Sequence, residues 1–341
     1  MHSSSQLQTA ATATAIEIAT LLVSFELSEG RWVLTVRLPG SAKLSRFSVP
    51  ARDTEAVLNL LAKQRRQAEQ RSGRAVQIVS IYEAGRDGFW LHRWLQAQQI
   101  ESHVVDPASI LGPQRRRQAK TDKIDGAKLV RSLAAWLNGE PGVCSMVVPA
   151  SVAQEDYRRL SRERGELVSE RTRLSNRING LLANQGIAGF KPLGKDAQLA
   201  LDDLRTGDGR ALEPHLRATI ERILQRLALL ELQIKTVEKE RDTLLKAVPV
   251  DSGEVASREA AIARQLFRLR SIGPEFATVL PAECFYRAFD NRCQVASFAG
   301  LAPTPWASGS VEREQGISKA DNRRLRRTMI ELAWSWTRHT Q

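Results

Sequence analysis

The sequence predicts an α/β domain built on a mixed sheet, then a long helical segment, then a mainly α C-terminal region. Three observations lead to this. Strand-like and helix-like runs alternate in the N-terminal part, heptad spacing runs through two charged segments in the middle, and helical patterns broken by turns fill the rest. The 341 residues leave room for two or three domains at roughly 100–200 residues each.

The start, MHSSSQLQTAATATA, is low-complexity and has no basic stretch followed by an apolar core, so residues 1–15 read as a disordered tail and not as a secretory signal. Residues 18–25, 32–38 and 44–49 are rich in β-branched and aromatic side chains. Gly30 and Pro39-Gly40 punctuate the gaps, and the three runs predict an antiparallel meander. Thr54 opens a helical pattern containing Leu58, Leu60 and Leu61. The run AVQIVSIY (75–82), apolar except at Gln77 and Ser80, reads as a strand buried on both faces. A second helix covers 88–98, a short strand 101–105, and a third helix 121–137, with Ile124, Leu129, Val130 and Leu133 on one side. The order β-β-β-α-β-α-β-α gives a mixed sheet covered by helices. The ribonuclease-H-like fold has this order, and it hosts nucleases, integrases and junction resolvases, but a fold by itself does not fix function.

In the middle, Leu160, Leu167, Leu174 and Leu181 recur every seven residues. After a Gly/Pro-broken stretch, Ile220, Ile223, Leu227, Leu230, Ile234, Val237 and Leu244 follow three-four spacing, with Arg241 interrupting one core position. Such a pair forms an antiparallel coiled-coil hairpin, a dimerising arm, or two helices of an ordinary bundle. Pro249 and the run Asp251-Ser-Gly253 end it. The last region holds the turn SIGP (271–274), a loop at 300–316, and a final helix whose Trp334 and Trp336 read as core. The segment LRSIGP (269–274) suits either a phosphate-holding hairpin between helices or a plain helix-turn-helix corner.

Fifty Lys and Arg against 38 Asp and Glu leave a net charge of +12. With a pI near 10.1, that surplus points to a polyanionic partner, most often nucleic acid. The three cysteines, Cys144, Cys284 and Cys293, are far apart and have no zinc-ligand spacing, which fits a reduced compartment. No apolar run reaches the roughly 18–20 residues of a membrane helix.

Four carboxylates fall at strand ends and a helix start. Glu26 closes the first strand and Glu83 the buried one, while Asp122 and Asp125 share a helical face at i, i+3. Phosphodiester cleavage is served by two magnesium ions roughly 3.5–4 Å apart, and carboxylates on separate elements can hold such a pair. Arg115, Arg116, Arg117, Lys120 and Lys123 surround the aspartates, and cations there would position a phosphate backbone. Taken singly, the aspartates do no more than complement a helix dipole, and Glu83 ends a strand.

These residues and the blocks around them resemble the DEDD transposases of bacterial insertion sequences, the IS110 family, and within it the IS1111-like branch. The resemblance runs through YEAGRDGFWLH (82–92), VVD (104–106), AKTDKID (119–125), EDYR (155–158), ERT (170–172) and NRI (176–178). It continues in FAGLAP (298–303), Ser308-Gly309, GISK (316–319) and NRRLR (322–326). It implies a RuvC-like domain at 16–148, a coiled-coil linker at 150–250 and a C-terminal transposase domain at 255–341. It implies Mg2+ at Glu26, Glu83, Asp122 and Asp125, with Glu26 standing where the wider family usually has Asp. It also implies a nucleophilic serine, which the motif match assigns to Ser308 and which must meet the metal site in the same or another subunit. Without the family, Ser310 or Ser318 would serve as well.

The resemblance further implies donor and target DNA as substrates, a structured guide RNA encoded by the element, and assembly as a dimer or tetramer. It places the protein in the bacterial cytoplasm, on the nucleoid when active, with no membrane. Lys319, Arg323, Arg324, Arg326 and Arg327 then join the N-terminal basic run as nucleic-acid contacts; a solvated helix face is the plainer reading of the last four. Two other functions are weighed: a structure-selective nuclease using the carboxylates alone, and a degenerate binding copy, since the chain stops at Gln341 where relatives usually continue.

Overall fold

A computed structural model of the chain describes residues 19–110, 122–246, 258–308, 311–319 and 322–339, with the backbone alone at 122–124, 305–308, 311–313, 315 and 339. The chain separates into two units, Met1–Pro149 and Ala150–Gln341.

In the first unit, strands β1 (Ala19–Glu26), β2 (Arg31–Arg37) and β3 (Leu44–Pro50) form the antiparallel meander that the sequence predicts. Helix α1 (Thr54–Ser72) follows. The Asp53 carboxylate caps it by accepting from the Ala56 amide at 2.9 Å, and Gly73 ends it in the left-handed region at φ 66°. Strand β4 (Val76–Glu83) returns parallel to β1. Helix α2 (Trp90–Ala97), strand β5 (Glu101–Val105), a 3-10 turn (Pro107–Ser109) and helix α3 (Asp122–Leu137) complete the unit. The sheet order is β3-β2-β1-β4-β5, with β5 parallel to β4.

Side-chain alternation gives this sheet two faces. Leu21, Val23, Phe25, Ile78 and Tyr82 pack with Val57 and Leu61 of α1 and Leu91 and Leu95 of α2. Leu22, Val79, Ile81 and Val105 pack with Leu129, Val130 and Leu133 of α3. Because β4 is covered on both sides, apolar residues occupy both of its faces, interrupted only by exposed Gln77 and by buried Ser80, whose hydroxyl donates to the Glu101 carbonyl at 3.0 Å. A mixed five-stranded sheet with helices on both faces fits a ribonuclease-H-like α/β domain.

The second unit opens with α4 (Val152–Ala183). Its N-terminus is a capping box: the Gln154 amide donates to Ser151 Oγ at 3.2 Å, and the Ser151 amide donates to Gln154 Oε1 at 3.0 Å. A short helix, α5 (Ala197–Asp202), precedes α6 (Pro214–Lys246). Helices α4 and α6 run antiparallel, as the cross-pairs Arg164–Glu238 at 2.8 Å and Arg171–Glu231 at 2.9 Å require. Their seam buries Leu174, Ile178 and Leu182 against Ile220, Ile223, Leu227 and Leu230. Two heptad details differ from the sequence pattern. Leu245 is buried at the end of α6 while Leu244 faces out, and Arg241 is itself buried, held by Asp242 and Glu275.

Helices α7 (Arg258–Phe267) and α8 (Pro274–Leu280) meet at a corner, and α8 runs on into a π turn (Pro281–Phe285). Helix α9 (Arg292–Phe298) leads to β6 (Pro303–Ser308) and β7 (Val311–Ile317), and α10 (Arg323–His339) ends the described chain. The sequence suggested a loop at 300–316; the structure has an antiparallel hairpin there, with Pro303 opposite Ile317 and Ser308 opposite Val311. Two prolines and Gly316 hide the strand pattern. The tryptophans of α10 also depart from expectation. Trp334 is 64% exposed and Trp336 45%, because α10 turns Leu325 and Leu332 inward instead.

Candidate active site

Strands β1 and β4 are parallel neighbours, and each ends in a glutamate. The register pairs Phe25 with Tyr82, so Glu26 and Glu83 stand at the same level on the sheet's carboxyl edge. Alternation puts Glu26 in line with Leu22 and Ser24, and Glu83 in line with Val79 and Ile81. That is the face covered by α3. Asp125 lies in the first turn of α3. The three carboxylates line one cavity of about 310 Å³, together with Arg86 and Asp87. In open sheets with parallel strands, the space beyond the strands' carboxyl ends is where ligands bind.

Helix α3 reaches this position through an unusually close approach to the sheet. The buried Ser24 hydroxyl donates to the Gly126 carbonyl at 3.0 Å. A β-carbon at Gly126 would overlap a Glu26 carboxylate oxygen and the Thr35 hydroxyl. Ser24 and Thr35, both fully buried, face each other across β1 and β2.

The predicted tetrad is therefore brought together at three positions. The backbone of Asp122 starts the same helix, one turn before Asp125; its side chain is outside the described residues, as are Arg115, Arg116, Arg117 and Lys120. Carboxylate oxygens are the hard donors that magnesium takes, and they come here from three separate elements, so the donor set fits. As placed, no three Asp, Glu, His or Cys side chains among the described residues stand close enough to grip one ion. The sequence reading missed Asp87 and Arg86 as cavity residues, although both lie in the run that follows Glu83. It also missed Gly126, which no motif announces.

Ser308 is the last residue of β6, at the turn of the hairpin, and its side chain is outside the described residues. Exposed Lys319 has a left-handed backbone (φ 55°) and donates its amide to the Gly300 carbonyl at 3.1 Å. Arg323 and Arg327 are exposed, with Arg327 paired to Glu331 at 2.7 Å, and Arg326 is half-buried. Arg324 turns inward instead, donating to the Ser161 carbonyl and standing 3.7 Å from Glu275 and 3.8 Å from Glu283.

Glu283 is a second feature the sequence did not reveal. It sits in the π turn and is 1% exposed. It accepts from Arg162 Nε at 2.8 Å, Arg162 Nη2 at 2.9 Å and Asn322 Nδ2 at 3.0 Å. Burial pushes its carboxyl up, but the Arg162 pair, the Asn322 amide and the Arg158 charge together outweigh burial and hold it below its ordinary value. One carboxylate thus ties α4, the π turn and the start of α10 together.

A mixed sheet with glutamates at the ends of adjacent parallel strands, facing a helix that carries a third carboxylate, fits one class, the ribonuclease-H-like α/β domain. Comparison with known proteins makes this specific. Residues 19–185 match the family model "DEDD_Tnp_IS110: Transposase", and residues 263–341 match the "Transposase IS116/IS110/IS902 family". The chain is 53% identical over 331 residues to "Putative transposase y4rJ" of Sinorhizobium fredii, covering 97% of this chain and 84% of the relative. It is 28% identical over 194 residues to "Transposase for insertion sequence element IS1111A" of Coxiella burnetii, covering 56% of this chain and 49% of the relative. The chain belongs to the IS110 family of DNA transposases.

Proposed function

We propose that this transposase holds Mg2+ at Glu26, Glu83, Asp122 and Asp125 and cuts and rejoins DNA strands with Ser308 as nucleophile. The observation that carries the reading is the cavity at the sheet's carboxyl edge, where Glu26, Glu83 and Asp125 meet from β1, β4 and α3. The bound metal would supply charge stabilisation at the phosphate and a lowered pKa for the attacking group. The carboxylates would hold and orient that metal. Arg86, at the rim, is placed to attract the DNA backbone, and its exposed pairing with Glu29 at 2.6 Å is weak enough to exchange for a phosphate.

In the serine step, the Oγ–phosphorus bond forms as the phosphorus–oxygen bond to the deoxyribose breaks. The proton leaving the serine ends on the departing oxygen. A strand hydroxyl then attacks the phosphoserine and reverses both changes, so the chain is regenerated and the strands are exchanged. The position of Ser308 at a hairpin turn supports this role, since a residue at a strand's end reaches a substrate more readily than one within a packed helix. The reading requires Ser308 and the carboxylates to act on one phosphate, within a chain or between two copies.

We further read the α4–α6 segment as a linker arm and the region from α7 to α10 as the part that carries the serine. The exposed Arg323 and Arg327, with Lys319, are assigned to nucleic-acid backbone, and a guide RNA is assigned the reading of donor and target sequences. The net charge of +12 supports a large nucleic-acid partner of this kind. The test is covalent trapping with full-length protein, Mg2+, the element's RNA and labelled donor and target DNA. A Mg2+-dependent protein–DNA adduct that vanishes with Ser308→Ala is expected. Cleavage without an adduct would leave a carboxylate-only nuclease, and binding without cleavage a degenerate copy.

A further inference from the structure

Gly126 follows Asp125 in α3, where the helix lies across β1 and β2. Its backbone does not need a glycine, because its φ is not positive. A glycine inside a helix is less favourable than alanine, so its presence calls for another reason. That reason is space: a β-carbon here would overlap the Glu26 carboxylate and the Thr35 hydroxyl. The helix cannot simply back away, because the Ser24 hydroxyl holds the Gly126 carbonyl at 3.0 Å in a fully buried setting.

We propose that Gly126 is a positioning residue coupled to Glu26. The missing side chain opens the room into which the long glutamate reaches, and α3 stays close enough to deliver Asp125 to the same cavity. An aspartate at position 26 is one methylene shorter and stops short of that room, so it has no need of the glycine. The coupling rests on the reading of these carboxylates as metal ligands.

The test uses full-length protein carrying Thr35→Ala, which removes the second overlap and a hydroxyl with no hydrogen-bond partner among the described residues. In that background, wild type at both other sites, G126A, E26D and the E26D/G126A pair are compared by Mn2+ titration calorimetry and by melting temperature. G126A alone is expected to weaken Mn2+ binding roughly tenfold or more, the scale on which disturbing a ligand's support acts. Combined with E26D, it should weaken binding by no more than about threefold beyond E26D alone, since the support it disturbs is no longer used. An equal loss with and without E26D overturns the coupling. If none of the four proteins binds Mn2+, the metal reading fails, and the melting temperatures decide the coupling. A larger drop from G126A with the glutamate present upholds it, and equal drops refute it.

Discussion

Replacing Glu283 by glutamine changes one buried atom and a whole charge. The amide keeps the shape of the side chain, but it turns an NH2 toward a guanidinium that cannot accept a hydrogen bond. Arg158, buried with its Nε on the Ala282 carbonyl at 2.7 Å, loses its nearby counter-charge. Breaking a fully buried pair costs about 3–5 kcal/mol. Arg162 is 52% exposed and recovers water when released, which trims the loss to about 2–3 kcal/mol. At roughly 2–4 °C per kcal/mol for a unit of this size, the melting transition of the second unit should fall by about 4–12 °C. Scanning calorimetry on the full chain reads this directly, and the transition of the first unit serves as an internal control. A fall below about 1 °C would mean that the network contributes nothing net, and the reasoning would be wrong.

The same site gives a pH signature. The folded carboxyl lies below its ordinary value of 4.5, so its stabilisation is complete above that pH and is lost as pH falls through the depressed folded value. Glu283→Gln removes that part of the acid loss, so the difference between the two proteins should narrow below pH 4.5.

Other outcomes follow from the geometry. Glu83→Gln and Asp125→Asn should each abolish DNA cleavage while leaving DNA binding by gel shift nearly unchanged, and chelation of Mg2+ should do the same to wild type until Mg2+ is restored. Full activity in either variant would dismiss the carboxylate assignment. Trp32, fully buried, and Trp334, 64% exposed, should separate cleanly in urea melts. Trp32→Ala is expected to cost about 3–5 kcal/mol and Trp334→Ala no more than about 0.5 kcal/mol. Comparable losses would mean that Trp334 is packed after all.

Most of the first unit is legible in the chain because its sheet obeys short-range rules. β5 occupies the predicted residues, and β1 through β4 differ from their predicted bounds by a residue or two. The site was legible only as a list. Glu26 and Glu83 are 57 positions apart, and nothing local says that β4 returns parallel beside β1 so that the two meet. In the second unit the failures share one cause. Trp334 and Trp336 were read as core because they are large and apolar, but which side of α10 faces inward is decided by its neighbours. The hairpin of β6 and β7 was missed because its pairing is with itself, in strands interrupted by proline and glycine.

The sequence by itself determined the α/β class, the order of elements in the first unit, the carboxylates at their ends and the family, because each of these is written in periodicity, turn chemistry or motif. Only the tertiary structure decided that three of those carboxylates share one cavity, that Glu283 is buried among arginines, and that Gly126 is a place of contact. These depend on atoms far apart along the chain coming within van der Waals reach, and no local pattern encodes that distance.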